Sequence, residues 1–485
     1  MYVALRGGQF PVRWVPDLGY GYGYPIFNFY NPLPYYFGAG FMFTGFNVLT
    51  ATKLMYVFPV FLSGITMFIF SKIFLSDIAS LLAGIIYVYA PYHAVQIYVR
   101  GAVGEYWAYA VLPLVFYALW KKKIILGALS LAALILSHNL TSFMSIPFIL
   151  LFFFFQIIGI FTSKKTRNIK SSIIHYSLSI ILALGLSAFF WLPSIFESGK
   201  TGVDQMVFEK FDPPSKHVAY PLQLWSGVWG YGGSSSGIDD GLSFQVGKIH
   251  LIGSLAAIAI LLYCYIVKRK TIKQFNNLTI FAIVGLFFSL FMMLPPSRPI
   301  WDSFPVLAYI QFPWRFLTFA SLFSSLLATW TISAVFSDGP DFFKKKIVGT
   351  PEPRSRALAT HGRRPWEQAS VLLGLSFLII IYSLRFFQPK FKFPVIPAEL
   401  ISREKLVWDY SKISDEYLPK GFVPPVNAEV ALRADNKQNQ QLVDKLKEST
   451  SVRKTANSIS LFTVIAFIIF IIFISFKKHG QNISG

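Results

Sequence analysis

Charge is scarce in this chain. Asp, Glu, Lys and Arg make up 14% of its 485 residues, against about a quarter in soluble globular proteins, so a water-soluble enzyme is excluded. Cysteine is nearly absent: Cys264 stands alone, which rules out an internal disulfide and a cysteine-based metal site. No Gly-rich phosphate loop, HExxH motif, Cys/His metal spacing, internal repeat or nucleic-acid module is visible. Residues 1–31 hold no basic segment followed by an apolar run, and so no signal peptide.

What is present is apolar. Hydrophobic residues reach 54% and fall into blocks close to the ~20 residues a helix needs to cross the hydrocarbon core. Eleven blocks read as spans, near 54–75, 79–98, 105–120, 123–138, 140–161, 172–193, 248–267, 277–294, 312–336, 369–387 and 457–476. The expected fold is an all-α polytopic membrane protein.

The net charge of +21 would suggest nucleic acid on a soluble protein. Sorted by membrane side, it reports orientation instead. Five basic clusters, 121–123, 164–170, 268–273, 344–346 and 477–478, fall on one side if the spans alternate. That side, taken as cytoplasmic, holds 21 of the 44 basic residues and only five of the 23 acids. The outer segments are then 1–53, 99–104, 194–247, 295–311 and 388–456, and 337–368 is a cytoplasmic linker. Alternation puts the first residue outside, which leaves two readings. Either 32–50 spans, or a span precedes the sequence given; Gly38, Gly40 and Gly45 make 32–50 a better interfacial helix than a span.

The chemistry-bearing residues lie in the outer segments. Residues 19–37 are dense in aromatics, Tyr24 and Tyr30 among them, and read as an interfacial belt or as a platform for a sugar ring or prenyl chain. Arg13 and Asp17 lie just upstream, and His93, Arg100 and Glu105 mark the second outer loop. Glu105 begins a span, so it either answers the helix dipole or marks a site. In Ser137-His138-Asn139-Leu140-Thr141, capping by Ser, Asn and Thr explains all but His138. Arg315 either snorkels or holds a lipid phosphate. The Gly/Ser-rich loop 194–247 reads as a lid or a spacer, and 388–456 is small for a core of its own.

Four motifs, GGQFPVRWVPDLGYGYGYPIFNFYNPLPYY, RGAVGEYWAYAVLPL, SHNLTS and QFPWRFL, resemble those of bacterial multispanning proteins with a 6-pyruvoyl-tetrahydropterin synthase-related domain. These are similar to GT-C glycosyltransferases and YfhO-like membrane proteins. The resemblance implies a GT-C-like bundle: a first outer loop with aromatic motif and interfacial helix (1–53), a transmembrane core (54–387), an extracytoplasmic segment (388–456), and a last span with basic tail (457–485). It implies an inverting transferase in the bacterial plasma membrane, using a polyprenyl-phosphate sugar donor at the outer face for envelope glycan or glycoprotein assembly. Membrane lipids are its other partners, and no nucleic acid is expected. In such enzymes an aspartate of the first outer loop is the general base, and a second acid shapes the site, sometimes around a divalent metal. Glu105 falls where the second acid would be. The first acid would lie upstream of GQFPVRW, which leaves Asp17 as the first-loop acid. The expected site is therefore Asp17, Glu105 and His138 for catalysis, with Arg13, Tyr24, Tyr30, His93, Arg100 and Arg315 holding substrate. No metal ligand set or cofactor is identified. The rival reading is a non-catalytic transporter or scaffold for lipid-linked substrates.

The assigned orientation is testable. In Leu5→Cys the thiol is expected to react with a membrane-impermeant reagent added outside intact cells; labelling only from the cytoplasm would reverse the N-terminal topology.

Overall fold

The computed structural model describes residues 1–162, 169–266, 277–336, 365–392, 402–448 and 450–483. Among them no β-strand forms; only isolated bridges such as Val15–Tyr24 occur. The principal helices are α1 (Leu33–Phe43), α2 (Val48–Ser71), α3 (Asp77–Val88), α4 (Val103–Trp120), α5 (Ile124–Ser137), α6 (Asn139–Thr162), α7 (Ile169–Ser198), α8 (Lys248–Ile266), α9 (Asn277–Met293), α10 (Leu317–Phe336), α11 (Pro365–Ser383), α12 (Lys437–Lys447) and α13 (Thr450–Ile483). Among the described residues seven helices are long and apolar enough to cross a membrane, or up to nine if two bent pairs each count as one span. The protein is thus an all-α, multi-pass membrane protein. Helix forms in each of the eleven apolar blocks, but the structure supports seven to nine crossings and not eleven: the 79–98 block breaks after Val88, α4 is not among those seven and α5 is short for a crossing. Most of the linker expected at 337–368 lies outside the described residues.

One helix organises the bundle. The segment Pro313–Val335 is 94% buried, while the other long apolar helices bury 17–39%. It is also the least apolar of the seven, with a mean hydropathy of 1.4 against 1.9 or more elsewhere. A helix that meets protein on every side needs no lipid-compatible face, so α10 can carry serines and threonines. Ser324, Ser325 and Thr329 donate to carbonyls four residues back at 2.5–2.8 Å, and Thr331 bridges to the Gly253 carbonyl of α8 at 2.8 Å. Small residues allow the close approach. A Cβ at Gly253 would sit 2.6 Å from Ala328, and one at Gly285 of α9 would sit 2.5 Å from the Phe323 ring. Around this axis α8, α9 and α3 pack on α10; α2 packs on α3 and α4, and α7 on α5 and α13.

Residues 32–50 do not form one continuous helix. α1 has 11 residues, about 16 Å at 1.5 Å per residue, too short for a ~30 Å core. Asn47 then caps α2, accepting the Thr50 N–H at 2.8 Å.

The first loop and the C-terminal segment build one core together. Tyr20, Tyr24, Val407, Leu418 and Ala431 are buried against one another, with Tyr417 and Phe422 alongside. Beneath them a polar network ties three distant parts of the chain. Arg13 donates to Asn28 Oδ1 (2.8 Å), the Phe189 carbonyl (2.9 Å) and Asn457 Oδ1 (2.7 Å). Asn28 donates to Glu197 Oε2 at 3.2 Å, and Arg453 clasps the same oxygen through Nε and Nη2 at 2.9 and 2.7 Å. Removing one member of a buried charge pair costs far more than the pair contributes. Glu197→Ala is therefore expected to release residues 402–448 to protease while the helix bundle stays resistant; an unchanged digestion pattern would show that the network does not hold that segment down.

Candidate functional site

Three helix N-termini meet beside Arg100. The chain kinks by 48° after Val88, where Pro91 opens a short helical segment, Pro91–Val99. Its last turn, Val95–Val99, is π-helical, and Arg100 closes it by donating its N–H to the Val95 carbonyl at 2.9 Å. Such widened turns recur at functional positions. Tyr92, Gln96 and Arg100, spaced four apart, all reach the carboxylate of Glu105 in the first turn of α4.

Glu105 is 2% exposed. Arg100 Nη1 donates to Oε2 at 2.7 Å; Oε1 accepts from the Tyr92 hydroxyl, from Gln96 Nε2 at 3.3 Å and, weakly, from Thr318 Oγ1 at 3.5 Å. The Arg100 guanidinium also lies 4.7 Å over the Trp314 ring. Trp314 Nε1 donates to Ser234 Oγ at 3.1 Å, and that hydroxyl donates to Asp240 Oδ1 at 2.9 Å. The Gly/Ser-rich stretch of 194–247 thus sits on the cluster, and Asp240 gathers Ser234, Ser235 and Gln223 to shape it.

A second cation shares the space. Arg315, 8% exposed, donates Nη2 to Gln311 Oε1 at 3.0 Å, while its Nε and Nη1 have no partner. It lies close enough to Glu105, Arg100, Tyr92 and Tyr30 to feel their charges. Gln311, its one acceptor, takes a left-handed backbone (φ 66°), a conformation that costs a non-glycine residue energy and collects at functional positions.

His138 completes the group. The sequence left it unexplained beside Ser, Asn and Thr caps; in the structure His138 is itself the N-cap of α6. Its Nδ1 accepts the Thr141 N–H at 3.2 Å. That acceptor role assigns the proton of the neutral ring to Nε2, a free donor. Glu105, Arg315 and Arg100 all act on this ring electrostatically. Gly104 permits the approach, since a Cβ there would sit 2.7 Å from the Ser137 carbonyl oxygen. Asn31 donates to the Ile135 carbonyl at 2.7 Å, which brings the first loop to the same corner. Burial raises the Tyr30 phenol above its ordinary range, with Arg315 opposing, so the hydroxyl stays protonated.

The structure thus gathers Glu105, Arg100, Arg315, His138 and Tyr30. His93 lies next to it: Nδ1 bonds the Val88 carbonyl at 2.6 Å where the helix breaks, and the ring stacks on Tyr109 at 4.4 Å. Arg13 and Tyr24 lie elsewhere, Arg13 in the Glu197 network and Tyr24 at 1% exposure in the core shared with the C-terminal segment. Asp17 is exposed, and no hydrogen bond or ion pair of the cluster includes it. Gln96, Thr318 and Trp314 were not anticipated; the four-residue spacing of Tyr92, Gln96 and Arg100 was the signal for the first of them. The donor set does not fit a divalent metal. Glu105 is a lone carboxylate between two guanidiniums, and among the described residues no three His, Cys, Asp or Glu side chains gather to hold one.

The helix bundle and its buried polar cluster define a multi-pass membrane protein with a cation-rich site at one end. The sequence model for the 6-pyruvoyl-tetrahydropterin synthase-related domain, a membrane protein family, matches residues 27–386, and the chain belongs to that family. A protein of Lactococcus lactis subsp. cremoris (strain MG1363), described as uncharacterized, is 31% identical over 215 residues, which cover 41% of this chain and 34% of that relative. The chain thus matches about a third of the relative's length. No solved structure matches.

Glu105→Ala would strand two buried cations. It is expected to lower stability in detergent by about 3–5 kcal/mol, and adding Arg100→Met should recover much of the loss. A denaturation midpoint unchanged in Glu105→Ala would mean the pair is solvated.

Proposed function

We propose that the protein binds the phosphate of a lipid-linked substrate at this cluster and acts as a GT-C-like glycosyltransferase at the outer face, using a polyprenyl-phosphate-linked sugar. The observation that carries this reading is Arg315, a buried guanidinium with Nε and Nη1 unpaired. Two guanidiniums face one carboxylate, so the cluster has an excess positive charge and planar donors suited to a phosphate oxygen pair. His138 Nε2 and the Tyr30 hydroxyl add neutral donors. Position supports it too, because the site lies at the end of the bundle where the orientation rules put the outer leaflet.

A second reading, a non-catalytic carrier or scaffold for lipid-linked substrates, is favoured by one specific observation. Both oxygens of Glu105 are already engaged, so among the described residues the cluster itself has no carboxylate free to take a proton from an acceptor hydroxyl.

Arg315→Met separates these possibilities. Replacing an uncompensated buried cation by an apolar side chain of similar length should keep or raise the thermal midpoint. The same variant is expected to lose at least tenfold in affinity for polyprenyl phosphate in nanodiscs, read by native mass spectrometry. Unchanged affinity would remove the phosphate reading. Wild-type binding without transfer of labelled sugar from a polyprenyl-phosphate sugar to any membrane acceptor would leave the carrier.

A further inference from the structure

On the far side of the 194–247 cover lies a polar groove of about 310 Å³, lined by Ser215, Lys216, Tyr220, Ser236, Arg298 and Asp302. Its size is at the lower end of the ~300–1,000 Å³ typical of ligand sites. Three features set it apart from ordinary polar surface. Asp302 has neither ion pair nor hydrogen bond in the structure, although Lys216 and Arg298 line the same groove. Lys216 is committed to Asp212 at 2.7 Å. Arg298 donates only Nη2, to the Tyr220 hydroxyl at 3.2 Å, and keeps its other donors free. With Lys216 balanced by Asp212, Arg298 and Asp302 leave the groove formally neutral. Its walls therefore offer one free carboxylate acceptor, one fan of guanidinium donors, hydroxyls and an aromatic ring. That combination suits the vicinal hydroxyls and apolar face of a sugar better than a phosphate, which the carboxylate would repel.

The groove is mechanically joined to the cation cluster. His217, next to Lys216, contacts Ser234 Oγ at 3.2 Å, the hydroxyl that receives the Trp314 N–H. The His217 ring also packs edge-on against Phe312 at 5.1 Å. One short loop thus has the groove on one side and Trp314, with Arg100 and Arg315, on the other.

We propose that this groove is a carbohydrate subsite that holds a neutral, hydroxyl-rich sugar unit of the acceptor, with Asp302 accepting from ring hydroxyls, Arg298 donating to them and Tyr220 supplying a stacking face. The assignment rests on the lipid-linked-sugar reading above, and its test is independent of catalysis. Full-length protein in nanodiscs would be titrated with methyl glycosides of glucose, galactose, mannose and N-acetylglucosamine by saturation-transfer-difference NMR. At least one is expected to bind saturably, with a loss of tenfold or more in Asp302→Asn and in Arg298→Ala, and no change in Arg315→Met. Both substituted groove residues are exposed, so these variants are expected to fold. No saturable binding, binding indifferent to both groove variants, or displacement by inorganic phosphate alone would overturn the proposal. Persistence of glycoside binding in an Arg315→Met protein that has lost polyprenyl phosphate would show that the two sites stand or fall separately.

Discussion

The Arg100–Glu105 pair is the constraint on which this end of the molecule depends. A carboxylate this deeply buried is tolerated only when its oxygens are filled. Filling them recruits Tyr92 from the short helix after the break, Gln96 from its π-turn, Arg100 from the residue that closes that turn, and Thr318 from α10, all onto Glu105 of α4. Each donor fixes the element that carries it. The kink at Pro91, the widened turn and the close approach of α4 to α5 through Gly104 can all be understood as the geometry this one carboxylate requires. A bundle held by apolar contact alone would leave these ends free to slide, since lipid tails compete with side chains for apolar surface.

A second polar knot works at a different level. Arg13, Asn28, Glu197 and Arg453 join the first loop, α7 and α13, and above that knot the aromatics of residues 20–24 pack on the C-terminal segment. Fewer than 50 described residues, 402–448, could not build a core independently. By sharing the loop's tyrosines they acquire one. The aromatic stretch is therefore neither simply a belt at the headgroups nor simply a platform for ligand: Tyr20 and Tyr24 are interior residues of a composite layer.

What the sequence made legible follows from the range of each interaction. The apolar helices were readable because hydrophobic length is a local property, but seven to nine of those described, against the eleven expected, are long and apolar enough to cross. Glu105, Arg100, His138 and Arg315 were readable because charged and polar groups at span ends are costly and so stand out from their surroundings. Which of them meet was not readable, since the Glu105–Thr318 contact spans 213 positions. Tyr24 and Arg13 looked like ligand groups for the same reason: residues that satisfy them, Ser414 and Asn457, lie 390 and 444 positions away. His138 shows a subtler limit. Capping was correctly suspected at that turn, but a histidine is a rare cap, and the more usual Ser, Asn and Thr drew the assignment away from it.

The charge on the cluster can be argued one step further. Helix N-termini carry roughly half a positive charge each, and those of α4, α6 and α10 converge here, at Glu105, His138 and just beyond Arg315. Together with two guanidiniums they face a single carboxylate, whose own needs Arg100 already meets. Arg315 is thus a cation held against a positive local field, with its acceptor Gln311 in a strained backbone and two of its nitrogens unmatched. A fold selected for stability alone would place an apolar residue there. An anion that enters the cluster gains the field of three helix ends and two arginines at once, and in doing so removes the largest electrostatic penalty at this end of the bundle. That local excess of positive charge, which an anion would relieve, is the physical ground of the proposal that a charged substrate binds at this corner.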